Sequence, residues 1–173
     1  MKGRTVAAII VCLMLCTCAT MKAKPMDKAD PENYRIGALP ASWKAFESRG
    51  ADRAFEFEAG GSSILVNSSC GWKTDAPLTA LTNHLLLDMT DRKILMQAER
   101  SIDGRPALET VCLGSLDGTE VKMKIVVLRS GDCLYDLVCV SLPPGFDAAV
   151  ADFDGFVGGF RIVTDSAKGE DPH

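Results

Sequence analysis

Three dipeptides, Asp103-Gly104, Asp117-Gly118 and Ser130-Gly131, cut the second half of the chain into four hydrophobic runs, near 93–102, 105–116, 119–129 and 132–142. Each pair suits a tight hairpin turn, whose central positions demand backbone angles that Gly and Asp tolerate. Strands joined by two-residue loops can only be antiparallel neighbours, so the four runs are expected to form a meander. The same loops fix which residues lie opposite one another. On that register Cys112, Met123 and Val138 share one face with the row Thr110, Ile125 and Asp136, while Met96, Val111, Lys124 and Leu137 share the other. Both faces are largely apolar, so the sheet needs a cover on each side.

The rest of the chain supplies those covers. Arg53 to Glu58 alternates phenylalanine with charge, Ala59-Gly60-Gly61 turns, and Ser62 to Ser68 continues with Ile64, Leu65 and Val66, which reads as a hairpin. Leu39-Pro40 and Ser42-Trp43 before it suggest an extended approach with an aromatic anchor. A helix follows, with Asp75 as the expected N-cap, Pro77 in its first turn, and Leu78, Leu81, Leu85 and Met89 on one face. A second helix is expected after Pro143-Pro144, where Phe146, Val150, Phe153 and Val157 repeat at helical spacing until Gly158-Gly159. The fold class is therefore α+β, an antiparallel sheet of about six strands (N-terminal hairpin plus four-strand meander) covered by helices on both faces.

That element order, with the segments LPASW, GRPAL and LYDLV, resembles the PsbP-like α/β/α sandwich over roughly residues 38–163. The group includes an extrinsic photosystem II subunit, a eukaryotic nuclear-transport regulator of a small GTPase, and many bacterial lipoproteins. The resemblance implies a domain that binds or supports other macromolecules, as most members of that fold do, and a fold alone assigns no function.

The amino terminus points to export. Lys2 and Arg4 precede an apolar run from Val6 to Leu15, which has the order of a signal peptide and is too short to span a bilayer. Leu15-Cys16-Thr17-Cys18 resembles a bacterial lipobox, which implies lipidation of Cys18; Thr17 stands where a smaller residue is usual, and Thr17 with Ala19 offers a rival cut after residue 19. The expected layout is a signal peptide of lipoprotein type over 1–18, a flexible tether over 19–33 rich in Lys, Asp, Pro and Ala, a single domain over 34–163, and a polar tail over 164–173. The expected location is the bacterial cell envelope, lipid-anchored and facing the periplasm with the outer membrane favoured, or soluble in the periplasm if the rival cut is used.

Charge and cysteine then limit the chemistry. The chain carries 19 basic and 23 acidic residues, and without Lys2 and Arg4 its balance moves from −4 to −6. With no basic patch, nucleic acid is not an expected partner. Four cysteines, Cys70, Cys112, Cys133 and Cys139, lie beyond the leader in a compartment where disulfides persist. Cys112 and Cys139 are separated by one intervening strand, about 9–10 Å at ordinary strand spacing, and read as buried thiols. Cys70 and Cys133 each sit at a strand end, and a bridge between them is the expected one. The cysteine spacing holds no CxxC pair, and His84 is the one histidine before the tail, so no metal and no cofactor are implied. Gly60-Gly61-Ser62-Ser63 joins two strands and reads as a turn, not a phosphate loop.

Asp136 is the residue out of place, a carboxyl in mid-strand on a face that a helix should cover. It needs partners, and the expected polar patch pairs it with Thr110, two strands away, with Gln97 beyond. Trp43 and Trp72 are expected to pack at the sheet edge. These readings favour a non-enzymatic envelope lipoprotein, a binding or accessory subunit of a membrane-associated assembly, with the membrane and a protein as partners. The alternatives are a soluble periplasmic carrier of a small apolar ligand and a cysteine-dependent hydrolase.

Overall fold

Strand pairing in the second half follows from the turn chemistry. In the computed structural model, which describes residues 33–71 and 75–163, Asp103 and Gly104 both take positive φ (51° and 73°), as do Asp117 and Gly118 (49° and 79°). These turns join β5 (Thr90–Ile102), β6 (Arg105–Leu116) and β7 (Thr119–Ser130), and a third joins β7 to β8 (Cys133–Ser141). The expected signal peptide, Cys18, residues 19–32 of the tether, Trp72 and the tail all lie outside the described residues.

The third turn differs from the expected one. Ser130 pairs with Cys133, so the loop is Gly131-Asp132. Positive φ is confined to Gly131 (59°), as in the hairpin turn that takes glycine at its first central position. This moves the register of β8 by two residues. Face membership survives such a shift because strand alternation has a period of two. Opposite partners do not survive it: Met123 faces Val140, Ile125 faces Val138, and Asp136 faces Val127.

The hairpin of β3 (Arg53–Phe57) and β4 (Ser62–Ser69) adds to the other edge of β8, and β2 (Trp43–Phe46) extends it, giving the order β2-β3-β4-β8-β7-β6-β5. The sheet thus has seven strands where about six were expected, because the aromatic approach segment itself pairs, Trp43 opposite Phe57. A small second sheet joins β1 (Tyr34–Arg35) to β9 (Arg161–Ile162) and ties the two ends of the domain together.

Helix α2 (Phe146–Gly158) covers one face, packing on β8, β4 and β7. Its Phe153 and Phe156, with Phe160 beyond its end, are fully buried against Ile64, Val66, Leu137 and Tyr135. Helix α1 (Leu78–Leu85) covers part of the other face, over β6 and β7. It departs from the expected helix at both ends. Pro77, not Asp75, occupies the N-cap, and no side chain caps it. At the other end Leu86 N–H donates to Asn83 O and Met89 N–H to Leu86 O, both i to i−3. That tighter winding rotates the apolar face, so Leu86 and Met89 are buried while Leu85 points outward.

Candidate functional site

The α1-side face of the sheet is unevenly covered, and this asymmetry defines the candidate site. Under α1 the residues of β6 and β7, among them Cys112, Met123, Ile125 and Val127, are buried. Along β4 and β8, outside the reach of α1, the same face stays half-exposed at Leu65, Asn67, Asp136, Val138 and Val140. Pairing places Leu65 beside Val138 and Asn67 beside Asp136. The result is an apolar strip with one carboxyl and one amide side by side.

Asp136 lies within this strip, and lost hydration of its carboxyl alone pushes its pKa up to about 7. Lost hydration disfavours the carboxylate, and no described cation or donor offsets that loss. Arg129, two positions along β7 from Val127, is instead held by the carbonyl of Ala76 (Nη2 to O, 2.6 Å). Thr110 is fully buried, opposite Ile125 in the row that runs to Val138, and takes a hydrogen bond from Gln97 Nε2 at 3.0 Å. The expected patch of Asp136 with Thr110 is therefore not formed. The two-residue shift at the Gly131-Asp132 turn sets Val127 opposite Asp136 in place of Ile125 in the Thr110 row, and the pairing of β4 with the other edge of β8 gives Asp136 its polar neighbour Asn67.

Among the described residues the cysteines offer no accessible nucleophile. Cys70 and Cys133 are joined in a disulfide. Cys112 and Cys139 are both fully buried and lie on opposite faces of the sheet, Cys112 with Met123 and Val140, Cys139 with Lys124. Burial raises the Cys112 thiol to about 11 and the Cys139 thiol to about 12, far from thiolate chemistry at neutral pH. His84 is exposed on α1. The cysteine-dependent hydrolase is thus left without a nucleophilic cysteine among the described residues, since two of their four cysteines are bridged and the other two are sealed in the core. Among the described residues no group of three or more His, Cys, Asp or Glu is placed to hold a metal ion.

A carrier would need room between sheet and helix. Between Phe57, Ser62 and the first turns of α2 at Ala148 and Ala149 lies a partly open pocket of about 130 Å³, below the ~300 Å³ of small-ligand sites, while a more open one between the start of α1 and β5–β6, lined by Leu78, Glu99, Arg100 and Leu108, reaches about 350 Å³. Two polar anchors fix α2 and were not legible in the sequence. Lys124 reaches from β7 to Asp154 (2.6 Å) and Glu109 (3.3 Å), and Arg100 closes the network on Glu109 (3.0 Å). Trp43 Nε1 donates to Asp152 at 2.8 Å. Lys124 and Glu109 are buried, yet in the sequence they look like ordinary solvated charges.

No protein-family model and no curated protein matches the chain. Solved structures do. The chain is similar to cyanobacterial PsbP (CyanoP) from Synechocystis sp. PCC 6803, with 15% identity, 86% of this chain and 98% of that chain covered, and a TM-score of 0.57. It is also similar to LpqN of Mycobacterium tuberculosis, a protein involved in cell envelope biogenesis, with 15% identity, 82% and 93% covered, and a TM-score of 0.59. At such identity the likeness establishes the fold, which is PsbP-like. No helix of the described residues is long and apolar enough to cross a membrane.

Proposed function

We propose that this domain is a non-enzymatic binding or accessory subunit of a bacterial envelope assembly, and that it meets its protein partner through the strip of Leu65, Asn67, Asp136 and Val138. The half-open apolar face of β4 and β8 carries this reading. An exposed apolar patch with polar neighbours is the kind of surface that meets a protein or membrane partner, and paired Asp136 and Asn67 supply the polar contacts that set orientation. The export leader, lipidation at Cys18 and the tether over 19–33 complete the proposal by holding the domain close to the membrane. Two facts are in keeping with it: the fold is shared with an envelope-biogenesis protein, and the Cys70–Cys133 disulfide suits an oxidising compartment.

The test is site-specific photo-crosslinking in the living host, with the crosslinker at Leu65 or Val138 and, as a control, at the exposed Glu58. Adducts to a defined envelope protein from the strip alone are the expected result. A strip that yields no adduct, or the same adducts as Glu58, defeats the reading. Intact mass of the purified protein decides the anchor in the same preparation: diacylglyceryl mass on Cys18 supports it, and a chain beginning at residue 20 assigns the protein to the soluble periplasm.

A further inference from the structure

We infer that the domain self-associates through β5, edge to edge, with a second copy of the same chain. This surface lies at the far end of the sheet from the strip and is independent of it. β5 is a 13-residue edge strand, and almost all of its residues are exposed. A long free edge presents unpaired backbone donors and acceptors to any partner strand. The other edge, β2, has four residues. Four of the six exposed large hydrophobics among the described residues lie in β5 or just before it in the chain: Ile94 (41%) and Leu95 (44%) in mid-strand, and Leu85 (37%) and Leu87 (67%) where α1 leads into β5.

Charge complementarity selects the occupant. β5 gains one residue against β6 between Ile94 and Met96, since Ile94 pairs with Cys112 and Met96 with Val111; a separate irregularity lies between Thr90 and Lys93, where Asp91 takes a φ of 50°, and Arg92 after it is placed on the α1 side by its hydrogen bond to the Leu86 carbonyl. As a result Arg92 and Ile94 before the bulge share the α1-side face with Gln97 and Glu99 after it, while Lys93 shares the other face with Met96 and Ala98. Two antiparallel copies related by a two-fold axis normal to the sheet must place residues of the same face opposite one another. A two-fold between Leu95 and Met96 satisfies this and sets Arg92 opposite Glu99, Lys93 opposite Ala98, and Ile94 opposite Gln97. Both Arg92–Glu99 pairs form by symmetry. A slip of two residues one way puts Lys93 opposite Arg100, and a slip the other way puts Arg92 opposite Gln97. Bulges ordinarily guard an edge against pairing; the one after Ile94 keeps the pleat in phase for the register that sets Arg92 opposite Glu99. Opposite charges facing each other across strands stabilise a pair and like charges oppose it.

The experiment is sedimentation analysis of the full chain as its host processes it, purified in a neutral detergent, over about 1–500 µM, a span suited to a modest edge-paired interface. Arg92→Glu and Glu99→Arg are each expected to raise the dimer dissociation constant about tenfold or more, and the double exchange to bring it back near the wild-type value. Arg92 also donates to the Leu86 carbonyl at 3.2 Å, so Glu99→Arg guards against a fold defect in the first variant. Dimerisation should also slow amide exchange across 93–98. A wild-type protein that stays monomeric throughout overturns the inference, as does a dimer whose double exchange is no tighter than the single variants. A monomer that binds phosphatidylglycerol vesicles, and loses them with Leu87→Glu, assigns the apolar edge to lipid and overturns it equally.

Discussion

Asp136 sets the pH behaviour of the domain at the residue scale. Its native carboxyl titrates at about 7, above the value near 4 of an unfolded chain. Protonation therefore favours the fold. The contribution is complete below about pH 4 and is lost as the pH rises through 7. Asp136→Asn removes the titration while keeping the shape, so its stability relative to wild type should grow between pH 5 and 8.5. The expected gain at the upper end is about 1–2 kcal/mol, discounted for the water that reaches the half-open strip. Urea denaturation of both proteins at the two pH values measures it, and an unchanged difference would show that Asp136 is already solvated. The sequence revealed this residue through alternation, since a carboxyl between Leu134 and Val138 stands out. Its neighbours were not legible: Val127 faces it because Gly131-Asp132 turns the chain where Ser130-Gly131 could equally have done so, and Asn67 lies beside it through the pairing of β4 with β8, which no local signal announces. Lys124 and Glu109 were less legible still: nothing local separates a buried ion pair from two solvated ends.

At the scale of elements, strands were easier to read than helices. Each β-turn dipeptide marks a boundary to within a residue or two, whereas α1 ends where i to i−3 bonds replace regular ones, and no residue type announces that change. The join between α2 and the chain before β2 was invisible for a similar reason. Gly37 N–H donates to Phe156 O at 3.0 Å, and a Cβ on Gly37 would stand 2.5 Å from the carbonyl oxygen of Gly155. Gly37 is thus required by close backbone approach, not by its own φ. Gly37→Ala should cost about 1–3 kcal/mol through the forced separation. Gly155, inside α2, has open space where its Cβ would go, so Gly155→Ala should stabilise by about 0.5–1 kcal/mol through helix propensity. Opposite shifts in Tm for two glycines that contact each other would establish that packing, not glycine content, governs this junction.

For the whole molecule, the disulfide decides how much of the fold rests on the connection between β4 and α1. α1, which lies over β6 and β7, stands in the chain between β4 in the middle of the sheet and β5 at its edge, and it is an eight-residue helix whose one buried residue within its bounds is Thr82. A bridge between Cys70 and Cys133, 63 residues apart, encloses α1 and all of β5, β6 and β7 in one covalent loop. Closing a loop of that length lowers the entropy of the unfolded chain, and its removal should cost about 2–4 kcal/mol. Cys70→Ala with Cys133→Ala is expected to lower the urea midpoint and to raise the slope of the transition, because an unfolded chain without the loop exposes more surface. A lower midpoint with an unchanged slope would place the loss in the folded state, in the docking of α1 and the cover it gives to β6 and β7. In that case the buried Cys112 thiol, which sits 3.9 Å from Met89 Sδ beneath this cover, should also become reactive to alkylation in the double variant while Cys139, on the α2 side, stays protected.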